Sequence, residues 1–162
     1  MEVVEGTATV ADVGAFVDRL DAIGTDHGAT IQAFDARYVV DRAHLERAVK
    51  LATRAHDRGE GIADDFGVEI LLYAAGRRQI SQALEMGLSE GTCPVVAVVV
   101  GGDERAAAAA VADTLDPGET LGQYDRERVQ SFFDVSEGEL TATEGTLADA
   151  VRERVALLPV EK

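Results

Sequence analysis

The chain has 162 residues, 46% of them hydrophobic, and carries 30 acids against 15 bases for a net charge of −15. That is a globular composition sized for one domain, residues 1–162, with a sizeable core, and it excludes a disordered chain. No apolar run is long enough to span a bilayer, and the opening MEVVEGTATV lacks the basic start and apolar core of a signal peptide. A cytoplasmic protein without membrane contact is expected.

Residues 2–10 (EVVEGTATV) read as an edge strand. Val13, Phe16, Val17 and Leu20 follow at helical spacing, with Asp12 as the cap and Gly24 as the stop. A short strand near 29–34 comes next. Asp41 caps a helix to about Arg58, ended by Gly59 and Gly61. Asp64 or Asp65 caps an all-apolar helix over 66–75, which Gly76 interrupts. A further helix spans 78–86 and closes at Gly87. The continuous apolar run PVVAVVV, 94–100, reads as a central buried strand. Asp103 caps an alanine-rich helix to Leu115, and 125–134 form a short helix. Residues 139–143 are placed at a sheet edge. Leu147, Val151, Val155 and Leu158 define a last amphipathic helix that stops before Pro159. Helices and strands fall in unequal blocks, so the expected fold is α+β: two layers, with helices stacked on a small mixed sheet.

The acid excess describes the solvent more than a ligand. Lys50 and Lys162 are the only lysines, Trp is absent, and Asp, Glu, Ala and Val abound. This is the composition of a protein that works in molar salt, where screening acts over about 3 Å and removes self-repulsion. A halophilic, archaeal source is inferred.

No catalytic signature rises above chance, and no cofactor is expected. His44 and His56 lie twelve residues apart in one helix, about 120° around it, and cannot share a ligand face. Cys93 is the sole cysteine and is most simply a small buried side chain. The "GGDE" at 101–104 imitates the loop of diguanylate cyclases, but it leads straight into a helix. Its glycines read as a strand-to-helix turn with Asp103 as the cap.

Charge distribution is more informative. Residues 37–78 hold eight bases and seven acids, a net +1, so almost the entire negative charge lies elsewhere. Within this window Arg47, Lys50, Arg54 and Arg58 fall inside about 80° of helical arc, uninterrupted by acid and opposite Leu45, Ala48, Val49 and Ala52. A solvated face is the commoner meaning of such a stripe. In a chain that fills solvated faces with acids, it also suits an anionic partner.

The stretch EILLYAAGRRQIS, 69–81, adds a second candidate. Glu69 sits among apolar residues and needs a partner, Arg78 or another base. Gly76 allows a turn or a close ligand approach. Arg77 and Arg78 would then stand at a helix start, where N–H groups and the helix dipole favour an anion. Gln79 can donate to and accept from a base edge. A plain helix corner with solvated arginines competes evenly with this reading.

Glu69 through Ile80, EILLYAAGRRQI, resembles the signature of the Cgi-type subunit of the KEOPS complex, the family of the PRPK-binding protein. Upstream, IQAFDARYVVDRAHLERAVKLA (31–52) is similar to the same family, and the match covers about residues 30–101. The resemblance implies a non-catalytic subunit of the assembly that makes threonylcarbamoyladenosine in tRNA. It implies binding to the small kinase-like ATPase subunit and recruitment of tRNA through its single-stranded 3′ CCA end. It carries an RNA-contacting role onto Gly76, Arg77, Arg78, Gln79 and Ile80, with Arg47, Lys50, Arg54 and Arg58 available to track the backbone. Two other readings stand beside it. One is a pure scaffold for the kinase-like subunit. The other is an enzyme cradling the phosphate of a small metabolite at 77–80.

Overall fold

A computed structural model describes the chain except for residues 144 and 162, and its side chains as far as Pro159. The elements in order are β1 (Glu2–Val10), α1 (Val13–His27), β2 (Thr30–Asp35), a 3-10 turn (Ala36–Tyr38), α2 (Arg42–Asp57) and α3 (Phe66–Ala75). There follow α4 (Ile80–Ala83), a second 3-10 turn (Leu84–Met86), β3 (Gly91–Val100) and α5 (Glu104–Ala112). The chain ends with β4 (Asp116–Pro117), α6 (Arg126–Phe133), α7 (Glu137–Thr143) and α8 (Leu147–Glu161). The fold is α+β, with helices packed on a four-stranded sheet in the order β2-β3-β1-β4.

Every strand pair is antiparallel, so the sheet is not mixed as expected. The layering is also richer than two. Val95, Ala97 and Val99 of β3 point into a core shared with Leu20 of α1 and with Ala107 and Val111 of α5. Val96 and Val98 point the other way, into a larger core shared with α2, α3, α6 and α8. A strand buried on both faces cannot alternate apolar and polar residues, which is why 95–100 is continuously apolar.

β1 is an edge strand in all but two pairs. β3 covers one side along its whole length, while β4 contributes only Gly6↔Pro117 and Thr7↔Asp116 on the other. A side chain reinforces that side: Glu5 Oε1 accepts from the N–H groups of Thr120 and Leu121 at 3.0 and 2.8 Å.

The helix starts at Asp12, Asp41, Asp65 and Asp103 follow the expected caps, and Asp125 adds one that was not expected. Asp12, Asp41, Asp65, Asp103 and Asp125 each accept a bond from the backbone N–H three residues on. Three ends differ. α1 runs through Gly24 to a left-handed Gly28. Gly24 is instead a contact site, where an added Cβ would lie 2.6 Å from the Ala29 carbonyl. Residues 139–143 belong to helix α7, not to a sheet edge; Ser136 Oγ accepts from Glu139 N–H and Leu140 alone of the helix is buried. α8 continues past Leu158 to Glu161 with Pro159 inside it, where the ring has no N–H for the ladder bond to the Val155 carbonyl.

Candidate functional site

The stretch 69–81 begins as the most buried helix of the fold. Every residue of α3 from Glu69 to Ala75 is buried. Glu69 is fully buried, yet neither arginine is its partner. Its carboxylate reaches back to the loop between α2 and α3, where Oε1 accepts from Ile62 N–H at 3.0 Å and Oε2 from Ala63 N–H at 2.6 Å. His56 Nε2 lies 3.7 Å from Oε2 and bonds the Ala63 carbonyl at 2.8 Å. Together they pin this loop onto the body of the protein. His44 is likewise structural. Its Nδ1 accepts from Val40 N–H, so the neutral ring carries its proton on Nε2 and donates to the Ala74 carbonyl at 2.7 Å. Burial lowers its pKa to about 4.

Gly76 ends α3 by a left-handed cap, φ 61°. Its N–H bonds Tyr73 O, and Arg77 N–H bonds Leu72 O at 3.0 Å, the paired closure that stops a helix cleanly. Residues 77–79 leave the helix before α4 starts at Ile80. α4 has four residues, and Gln79 at its cap makes no side-chain bond. The expected helix from 78 to 86 is therefore one α turn followed by a 3-10 turn. With it goes the dipole argument: Arg77 and Arg78 do not open a helix, and a single turn offers no phosphate cradle.

The two arginines also part company. Arg77 turns inward to α6, where its guanidinium donates to the Phe132 carbonyl and lies 4.8 Å from the centre of the Phe132 ring. Phe132 packs edge-on against Tyr38 and Phe133, and Phe133 against His44, so an aromatic chain joins this corner to α2. Arg154 of α8 closes the same corner by donating to the carbonyls of Phe133 and Asp134. No motif announces this arrangement, because Phe132 lies 55 residues downstream.

Arg78, Gln79 and Ile80 face the other way. With Ser81, Ile62, Ala63, Asp64, Asp65, Val68 and Leu72 they line an open depression of ≈ 670 Å³. Gln79 and Ile80 are exposed, Ile80 to 47%. The loop held by Glu69 is the opposite wall, and Asp64 and Asp65 place two carboxylates there. The depression suits a planar, partly apolar group with hydrogen-bonding edges better than a naked phosphate.

Arg47, Lys50, Arg54 and Arg58 are all exposed along α2, and none makes an ion pair among the described residues. None of the four lines the depression. The basic stripe and the 78–81 segment are thus separate surfaces. Among the described residues no three His, Cys, Asp or Glu side chains gather as a metal site, and no helix is long and apolar enough to cross a membrane. Cys93 is buried and unbridged.

No individually characterised protein matches the sequence in a direct comparison. A family profile does, and it spans residues 13–158, which takes in most of both cores, the α3 corner and the depression. The chain belongs to the family described as kinase binding protein CGI-121.

Proposed function

We propose that this chain is a non-catalytic adaptor of a KEOPS-type assembly, in which it binds the kinase-like ATPase subunit and recruits tRNA by its 3′ CCA end for threonylcarbamoyladenosine synthesis. The observation that carries the tRNA part is the depression at 78–81. Exposed Gln79 offers an amide that donates and accepts, Ile80 an apolar surface, and Arg78 a planar cation. These are the contacts by which single-stranded ends are held through base edges and stacking. The α2 stripe supplies a positive track for the backbone upstream of the CCA end. Gly76 and Arg77 shape the corner from which the segment departs. The acid-rich surface fits work in a salt-rich cytoplasm. There, counterion release contributes little and stacking and hydrogen bonds must supply the affinity.

A scaffold that never touches RNA is the competing reading, favoured by Asp64 and Asp65 in the same depression. The test is tRNA binding by the purified protein in about 2 M KCl, with intact tRNA, tRNA lacking CCA, and an Arg78→Glu/Gln79→Ala variant. Binding that requires both the CCA end and these side chains is expected. No binding by any of them moves the chain to the scaffold reading, and binding indifferent to both overturns the 78–81 segment as the CCA site.

A further inference from the structure

The sheet ends at β2, whose outer side has no partner strand. Proteins normally cover or blunt such an edge. Here it forms the floor of a groove. Val17 and Leu20 of α1 stand on one side, and Val68 and Leu71 of α3 with Leu84 on the other. The groove encloses ≈ 310 Å³. Val17 is 40% exposed and Leu84 56%, so large apolar side chains mark both rims. Gln32 Nε2 donates to the Ala33 carbonyl at 2.9 Å, holding a main-chain acceptor of β2 with a displaceable side chain. Toward the start of β2 the groove opens into a polar cleft where Asp21 of α1 and Asp65 at the head of α3 both line the wall. Burial, then the nearby Asp65 and Asp18, raises the pKa of Asp21.

We propose that this groove is the docking site for the kinase partner, which lays an extended apolar segment along β2 as an added strand and sets a basic residue between Asp21 and Asp65. The proposal rests on the kinase-binding reading. Strand addition draws affinity from main-chain hydrogen bonds and specificity from side chains alternating into flanking pockets, here the α1 wall and the α3 wall. The charge argues for this occupant over others. A second copy would bring the same acids to the edge. Apolar contact and main-chain bonds also survive in salt that screens long-range attraction.

The test uses the small kinase-like ATPase subunit as probe, with the wild-type chain and a Val17→Gln/Leu84→Arg variant. Both substituted side chains are exposed, so the thermal melt should match wild type. Kinase affinity is expected to fall by about ten-fold or more, and Asp21→Lys should weaken binding as well. In the wild-type complex the amides of residues 31–33 should gain protection from hydrogen exchange. A Glu127→Lys variant, altered on the exposed side of α6 instead, should keep full kinase affinity. Undiminished binding by the groove variant, or unchanged exchange in β2, overturns the proposal while leaving kinase binding intact. A wild-type chain that does not bind the kinase subunit defeats the kinase-binding reading and the groove with it. A dimer that the groove substitutions dissolve would assign the groove to a second copy and overturn the proposal.

Discussion

Glu69→Gln isolates the role of the one fully buried carboxylate among the described residues. The wild-type side chain accepts two loop N–H groups, at 3.0 and 2.6 Å. Glutamine preserves the volume but has a single acceptor oxygen, so its NH₂ must face either Ile62 N–H or Ala63 N–H. One charge-assisted bond is lost and one loop donor is left opposing another donor. Bonds to charged groups are worth about 1.5–3 kcal/mol each, so a loss of that size is expected. For a chain of this length it corresponds to a fall in Tm of roughly 3–12 °C. Glu69→Ala removes both bonds and should cost about twice as much. Thermal unfolding by circular dichroism measures the loss, and hydrogen exchange at Ile62 and Ala63 locates it. Because the loop forms one wall of the 78–81 depression, the variant should also loosen any ligand held there. A Glu69→Gln protein that melts with wild type and keeps both amides protected would refute the clamp.

The two arginines should separate experimentally. Arg77→Ala removes the bond to Phe132 and the ring contact, and should lower stability by about 1–3 kcal/mol in a denaturant titration. Arg78→Ala should weaken tRNA binding, measured by titration with intact tRNA. His44 makes stability depend on pH. Its folded pKa of about 4 lies below the ordinary 6.5, so the unfolded chain binds the proton first. This contribution is complete above pH 6.5 and is lost as pH falls toward 4, by about 3 kcal/mol; its NMR ring signals should stay those of a neutral imidazole at pH 5. Gly24→Ala, which helix propensity alone would favour, should destabilise by about 1–3 kcal/mol, since its Cβ would sit 2.6 Å from the Ala29 carbonyl. A melt at or above the wild-type temperature would refute that contact.

Much of the local structure was legible because it depends on near neighbours. A cap is an aspartate three residues before the N–H it satisfies, so Asp12, Asp41 and Asp103 could be read directly. The burial of 95–100 followed from an unbroken apolar run, and the exposure of Arg47, Lys50, Arg54 and Arg58 from their shared helical arc. The end of α3 at Gly76 was equally local, since a left-handed cap favours glycine.

What lies across the fold was not legible. Arg77 and Arg78 are adjacent and chemically identical, and only the placement of Phe132 makes one a structural strut and leaves the other beside the depression. Glu69 found two backbone donors with His56 beside them, because the α2–α3 loop folds over it. Gly24 looked like a stop until the start of β2 packed against it. The β2 edge groove is likewise a product of sheet order: α1 and α3 flank it only because no strand follows β2. Sequence alone therefore determined the longer elements, most of their caps and the family to which the chain belongs. Tertiary packing decided which charged side chains are spent on structure and which surfaces remain open to partners, because those outcomes depend on contacts between residues far apart in the chain.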